Sequence, residues 1–225
     1  MIRMVGFDLD GTVGETIPMC LRVFARAVSP HAGHLLSEEE IVQTFGLNEV
    51  GMVKALVKEG WEQALEDFYT LYEEMHGECA EPYEGVVELI DDLKRCGVQV
   101  ALITGKGAVS CRITLERFGL QDAFCRIGTG AEDRLNKAEL MAGLLEEYGL
   151  ERDEFLYIGD ALSDVAATKE AGVVCLSAAW SEAVDASRLR EVNDPALVFG
   201  SIEELRNHLA GRIGGLPEAA GEMRP

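Results

Sequence analysis

From residue 83 onward, short apolar runs alternate with amphipathic stretches punctuated by glycine, and this alternation restricts the possible folds more than any other feature of the chain. Parallel strands need a crossover of about a dozen residues, usually a helix, so repeated strand-helix units build a parallel sheet with helices on its faces. The pattern places strands at 98–103, 124–127, 155–159, 173–176 and 197–199, with one more at 4–8 near the N-terminus. Helices are expected at 86–96, 108–118, 137–148, 165–171 and 202–213. The predicted fold class is α/β, a Rossmann-like parallel-sheet core.

Residues 16–81 break the alternation: "TIPMCLRVFARAV", "SEEEIVQTF", "GMVKALVKEG" and "WEQALEDFYTLYEEMHGEC" all read as helices with no strand between them. Ser37 precedes three acids and is a candidate helix cap. The expected organisation is a discontinuous core, residues 1–14 and 83–225, with an all-helical cap domain at 15–82 inserted after the first strand. Its hinges should lie near Gly14 and Pro82–Gly85. The glycine- and proline-containing tail, 211–225, is expected to fray.

The first strand runs into "DLDGT", where Asp8 and Asp10 lean to one side of an extended chain. Two carboxylates that close repel unless a proton or cation lies between them. Taken alone, the pair is equally well a solvated turn or a helix cap. Its company decides the matter, because Thr104, Lys137, Asp160 and Asp164 all fall just past strand ends or at helix starts. In open parallel sheets, ligands collect outside those ends. Each has an ordinary alternative, although a lysine in a helix's first turn, as Lys137 is, opposes the dipole and wants an anionic partner.

Hard oxygen ligands suit Mg2+, with Asp8, Asp10, Asp160 and Asp164 as the candidate residues. Asp8 could then attack phosphorus, and Asp10 could protonate the leaving oxygen and later activate water. Thr104, Lys137 and the backbone of Gly105 to Gly107 could hold the transferring phosphoryl group. The formal net charge of -20, from 20 basic and 40 acidic residues, argues against nucleic-acid and anionic-membrane partners. A small phosphorylated metabolite is the partner the site implies, attracted by the metal and Lys137 and not by the surface.

These motifs jointly resemble the haloacid dehalogenase-like hydrolase superfamily, in particular its phosphoglycolate phosphatase-like members with a small helical cap. "DLDGT" is similar to the family's first motif, Thr104 to the second, Lys137 to the third and "GDALSD" at 159–164 to the fourth. The resemblance implies an aspartyl-phosphate on Asp8 and acid/base work by Asp10. It further implies Mg2+ on Asp8, the Asp10 backbone carbonyl and Asp160, with Asp164 a direct ligand or an acid behind the ligands. Two departures stand out: Glu15 occupies an aspartate's place in "VGET", and "NKAEL" lacks the proline that often follows the third-motif lysine.

In relatives a cap loop selects the substrate, and "FGLNEVG", residues 45–51, is the candidate here. Asn48, Glu49 and, from the core, Lys106 are the candidate specificity residues. Glu49 would disfavour a second anion on the substrate; it reads equally as a solvated acid opening the next helix. His31 and His34 have metal-ligand spacing but fit a surface pair better. "GTGAED" at 128–133 resembles half of a glycine-rich loop. A phosphomutase and a non-catalytic phospho-ligand sensor remain alternatives to a phosphatase. Six cysteines with no CxxC spacing, no apolar run near the ~20 residues of a membrane span and no export-signal pattern point to the cytoplasm.

Overall fold

The computed structural model describes residues 1–216. Six strands form one all-parallel sheet: β1 (Met4–Phe7), β2 (Gln99–Ile103), β3 (Arg126–Gly128), β4 (Phe155–Gly159), β5 (Val174–Ala178) and β6 (Val198–Phe199). Their order is β3-β2-β1-β4-β5-β6, so the winding reverses beside β1, which pairs with β2 on one side and β4 on the other. That reversal opens a crevice at the carboxyl ends of β1 and β4. Both strands are buried throughout, which is why "MVGF" and "FLYIG" read as unbroken apolar runs.

Five of the six helices between β1 and β2 fall within residues 17–75. Helix α1 (Ile17–Val23) passes through a π-helical stretch, Phe24–Val28, into α2 (Ser29–Ala32); α3 (Glu38–Val42), α4 (Glu49–Leu56) and α5 (Trp61–Met75) follow, then a 3-10 turn at His76–Cys79. Then α6 (Val86–Arg95), α7 (Ala108–Phe118), α8 (Lys137–Glu147), α9 (Leu162–Ala171) and α10 (Ala186–Val192) complete the crossovers, and α11 (Ile202–Ile213) follows the last strand.

The two-residue period of β1 sends Val5 and Phe7 to a core shared with Leu89, Ile90 and Leu205, and Met4 to one shared with Met141 and Val165. The helices after β1 bury a core of their own around Phe24, Phe68 and Tyr72, with the rings of Phe24 and Phe68 4.4 Å apart. Burying a side chain of this size contributes roughly 1.5–3 kcal/mol. Ser37 caps α3 reciprocally: its Oγ accepts the Glu40 N–H, and the Glu40 carboxylate accepts the Ser37 N–H at 2.9 Å.

Several boundaries depart from expectation for local reasons. Helix α9 starts at Leu162 and not at 165, because the Asp164 carboxylate accepts the Ala161 N–H at 3.0 Å and holds the first turn. Helix α10 was not expected: it buries only Leu189, so its apolar period is faint, and the Asp185 carboxylate caps it. Strand β3 begins two residues later than expected, at the sheet edge, and β5 extends two residues further, to Ala178. Of the tail expected to fray, residues 211–213 end α11, and 217–225 lie outside the described residues. All six cysteines are free thiols. Among the described residues, no helix is long and apolar enough to cross a membrane.

Candidate active site

Asp8 follows β1 directly and is fixed by its N–H, which donates to the Ile158 carbonyl of β4 at 2.8 Å. Asp160 follows β4, and Asp164 sits one turn into α9. The switch in winding thus brings these three together, each buried, with one carboxylate oxygen apiece lying within 4.8 Å of the others. Lys137, the first residue of α8, reaches between them, its Nζ 2.9 Å from Asp8 Oδ1 and 2.6 Å from Asp164 Oδ1. At 2.9 Å the ammonium both pairs with and donates to the Asp8 carboxylate, which holds the Asp8 pKa down against burial.

Asp164 is saturated by comparison: Lys137 and the Tyr157 hydroxyl donate to Oδ1, the latter at 3.2 Å, while the Ala161 N–H donates to Oδ2. Asp160 accepts one hydrogen bond, from the Thr12 hydroxyl to Oδ1 at 3.1 Å. Its other oxygen approaches Gly11, where φ is +80° and a Cβ would come within 2.2 Å of Oδ2. Only glycine satisfies both conditions there.

Burial dominates the electrostatics. It pushes the Asp8 carboxyl up to about 7, with Lys137 pulling down and Asp164 and Asp10 pushing up. The Asp160 carboxyl is held well above the usual carboxylate range, by burial first and then by Asp8 and Asp164. Burial disfavours the charged form of Lys137, but Asp164 and Asp8 outweigh it and raise the ammonium pKa. Buried carboxylates in this condition favour a counter-cation. A divalent metal fits the set: Lys137 takes one oxygen of Asp8 and Thr12 one of Asp160, and Gly11 leaves the other Asp160 oxygen clear.

The Asp10 side chain is not part of that triad. It turns toward the helices after β1, where Oδ1 accepts the Thr16 hydroxyl and lies 3.1 Å from Lys106 Nζ. Its carboxylate is turned away from the metal acids, which leaves its backbone carbonyl as the candidate ligand. Thr104 ends β2, fully buried, and its Oγ accepts the Lys106 N–H at 3.1 Å, so its own proton is free to be donated elsewhere. Gly105 lines the same cleft.

The expectation that the Gly105 to Gly107 backbone would face an anionic ligand is corrected at Gly107. The Gly107 N–H is taken by the Glu49 carboxylate at 2.7 Å, and the Ser110 hydroxyl donates to its other oxygen. Glu49 does open α4, yet it is buried and caps the N-terminus of α7 across the gap between the inserted helices and the sheet. Lys106, also buried, lies 3.9 Å from Glu49 Oε1 and over the Tyr72 ring at 4.7 Å. Its ammonium pKa is raised, since Asp10, Tyr72, Cys20 and Glu49 outweigh the effect of burial.

Asn48 does not face the cleft. Its side chain accepts the Gly51 N–H and donates to the Gly130 carbonyl at 3.0 Å, so it caps α4 and ties it to the core. Gly130, in the half glycine-rich loop, packs on the loop after β2: a Cβ there would lie 1.9 Å from the Gly105 carbonyl oxygen. His31 and His34 pair separately with Asp67 and Glu40 and form no metal site. Glu15 accepts the Tyr83 hydroxyl at 2.5 Å and the Ser181 hydroxyl at 2.8 Å, joining both crossings between the sheet and the helices after β1.

Sequence reading missed Thr12, Thr16, Tyr157 and Ser110 as partners of the acids. Thr12 stood in plain sight in "DLDGT"; the other three meet their partners only through the fold. A cavity of about 270 Å³ is lined by Asp8, Asp160, Thr104 and Lys137 from the core and by Ile17, Cys20, Phe24, Leu47 and Met52 from the segment inserted after β1.

The pattern of the haloacid dehalogenase-like hydrolases matches residues 5–178. A phosphoglycolate phosphatase of Pseudomonas savastanoi is 30% identical over 217 residues, covering 90% of this chain and 78% of its own. A pyrophosphatase PpaX of Bacillus velezensis is 24% identical over 182 residues, 80% of this chain and 84% of its own. Among solved structures, a hydrolase from Pseudomonas syringae superposes with a TM-score of 0.74 at 23% identity, over 92% of this chain and 98% of that one. The chain belongs to the haloacid dehalogenase-like hydrolase family. Its relatives place it among that family's phosphatases.

Proposed function

We propose that this hydrolase is a Mg2+-dependent phosphomonoesterase of the cytoplasm, acting on a small phosphorylated metabolite through a phosphorylated Asp8. The observation that carries the reading is Asp8 itself: a buried carboxylate at the switch point, paired with Lys137 Nζ at 2.9 Å, clustered with Asp160 and Asp164, and sharing its cavity with Asp10. Residues 15–82 serve as the cap over this site, seated by Asn48 and Glu49.

In the first half-reaction an Asp8 oxygen bonds to phosphorus while the ester P–O bond breaks, and Asp10 gives its proton to the leaving alcohol. In the second, Asp10 takes a proton from water, the water oxygen bonds to phosphorus, and the Asp8–phosphorus bond breaks to release inorganic phosphate. Lys137 Nζ and the free Thr104 hydroxyl proton stabilise the phosphoryl oxygens, and the Thr16 hydroxyl holds Asp10 in place. Bound at Asp8 and Asp160, with Asp164 orienting Lys137 behind them, Mg2+ would neutralise the clustered acids and polarise the phosphoryl group.

Hydrolysis of p-nitrophenyl phosphate tests the reading. Asp8→Asn should abolish it, Asp10→Asn should cost about 10²- to 10⁴-fold in kcat, and EDTA should silence the native enzyme. Full activity in any of the three refutes the mechanism. Recovery of isomerised ester in place of free phosphate would make the protein a phosphomutase.

A further inference from the structure

The cleft that holds the phosphoryl group also constrains what leaves it. Away from the acids the lining is mostly apolar: Ile17, Cys20, Phe24, Leu47 and Met52, with Leu135, 65% exposed, and the uncharged polar side chains of Asn136 and Ser163. Only two cationic side chains among the described residues line the cavity, and neither is free. Lys137 is held between Asp8 and Asp164, and Lys106 between Asp10 at 3.1 Å and Glu49 at 3.9 Å.

A leaving group bearing a carboxylate or a second phosphate would therefore be desolvated against apolar side chains with no unpaired cation to meet it. It would also come within reach of the Glu49 charge. Burying an anion unpaired costs far more than burying a hydrocarbon, which such a wall favours. Size adds a bound: an apolar cavity of roughly 150 Å³ takes a benzene ring, so about 270 Å³ has room for a phosphoryl group and one ring or a short branched chain.

Resting on the hydrolase reading for the position of the phosphoryl group, we propose that the substrate is the phosphate monoester of an uncharged, mainly apolar alcohol of about one ring's size. Leaving groups that carry a second anion are discriminated against. Glu49 contributes by keeping Lys106 neutralised, so that the one ammonium on the cap side of the cleft cannot serve as an anion receptor.

The test compares kcat/KM for benzyl phosphate, phosphoglycolate and inorganic pyrophosphate. In parallel, calorimetry measures benzylphosphonate and phosphonoacetate binding to the metal-loaded enzyme. Benzyl phosphate should be turned over at least tenfold more efficiently than either anionic compound, and benzylphosphonate should bind at least tenfold tighter than phosphonoacetate. Leu135→Lys, which puts an unpaired ammonium at the exposed mouth, should narrow both ratios at least fivefold. Phosphoglycolate or pyrophosphate hydrolysed as well as benzyl phosphate, or phosphonoacetate bound as tightly as benzylphosphonate, overturns the proposal. If no ester is hydrolysed while benzylphosphonate keeps its advantage, the hydrolase reading falls and the assignment of the pocket stands.

Discussion

Replacing Glu49 by glutamine probes how the inserted helices are held on the sheet. The native carboxylate accepts the Gly107 N–H at 2.7 Å and the Ser110 hydroxyl in the first turn of α7, with Lys106 Nζ 3.9 Å away. Hydrogen bonds to a charged group contribute about 1.5–3 kcal/mol and neutral ones about 0.5–1.5, so neutralising the acceptor of two should cost roughly 2 kcal/mol. The attraction between a carboxylate and a helix N-terminus, up to ~2 kcal/mol when partly buried, is the same interaction seen differently and is not added. At about 2–4 °C per kcal/mol for a chain of this length, Tm should fall by about 4–8 °C. Calorimetric melting of the metal-free protein at pH 7 reads this, with Glu59→Gln, an exposed acid in a turn, as the control. A drop no larger than the control's would show that Glu49 does not cap α7, and the seating of the inserted helices would need another explanation.

Stability against pH should carry the signature of Asp8. Its carboxyl, raised from 3.8 to about 7 chiefly by burial, binds a proton more tightly folded than unfolded. That contribution is complete below about pH 4 and is lost as pH rises through 7. Metal-free Asp8→Asn, which resembles the protonated form, should therefore be more stable than the native protein at pH 8 by a few kcal/mol, on the order set by 1.4 kcal/mol per pK unit. Urea unfolding at pH 5 and 8 checks that the gap narrows at the lower pH; a constant gap rejects it. Gly11→Ala would place a Cβ 2.2 Å from Asp160 Oδ2 at a φ of +80°, adding roughly 1–2 kcal/mol of left-handed strain. The expected result is a Mg2+ Kd raised at least tenfold by titration calorimetry, and an unchanged Kd would remove Asp160 from the metal site.

Much of this protein could be read without coordinates. A strand-helix alternation can satisfy its backbone and bury both sheet faces only as a parallel sheet, so the class followed from periodicity, and with it the edge where ligands collect. Asp8, Asp10, Thr104, Lys137, Asp160 and Asp164 were legible for the same reason: each closes a strand or opens a helix, and those ends share one side of the sheet. Chemistry set by local position survives translation from sequence.

What the tertiary structure alone decided is how those groups are paired. Asp10 could have joined the metal acids, and instead the turn at Gly11 and the start of α1 aim it at Thr16 and Lys106. Glu49 and Asn48 sit in a loop that reads as solvated, yet α4 packs against segments some 60 and 80 residues away, at Gly107 and Gly130. Glu15, the letter that breaks the motif, finds Tyr83 and Ser181 only when three distant segments meet. Sequence determines which residues end where the backbone runs out; the partner that desolvates, neutralises or frees a charge comes from elsewhere in the chain, and that partner sets whether a carboxylate attacks, a lysine receives an anion, or a wall accepts only hydrocarbon.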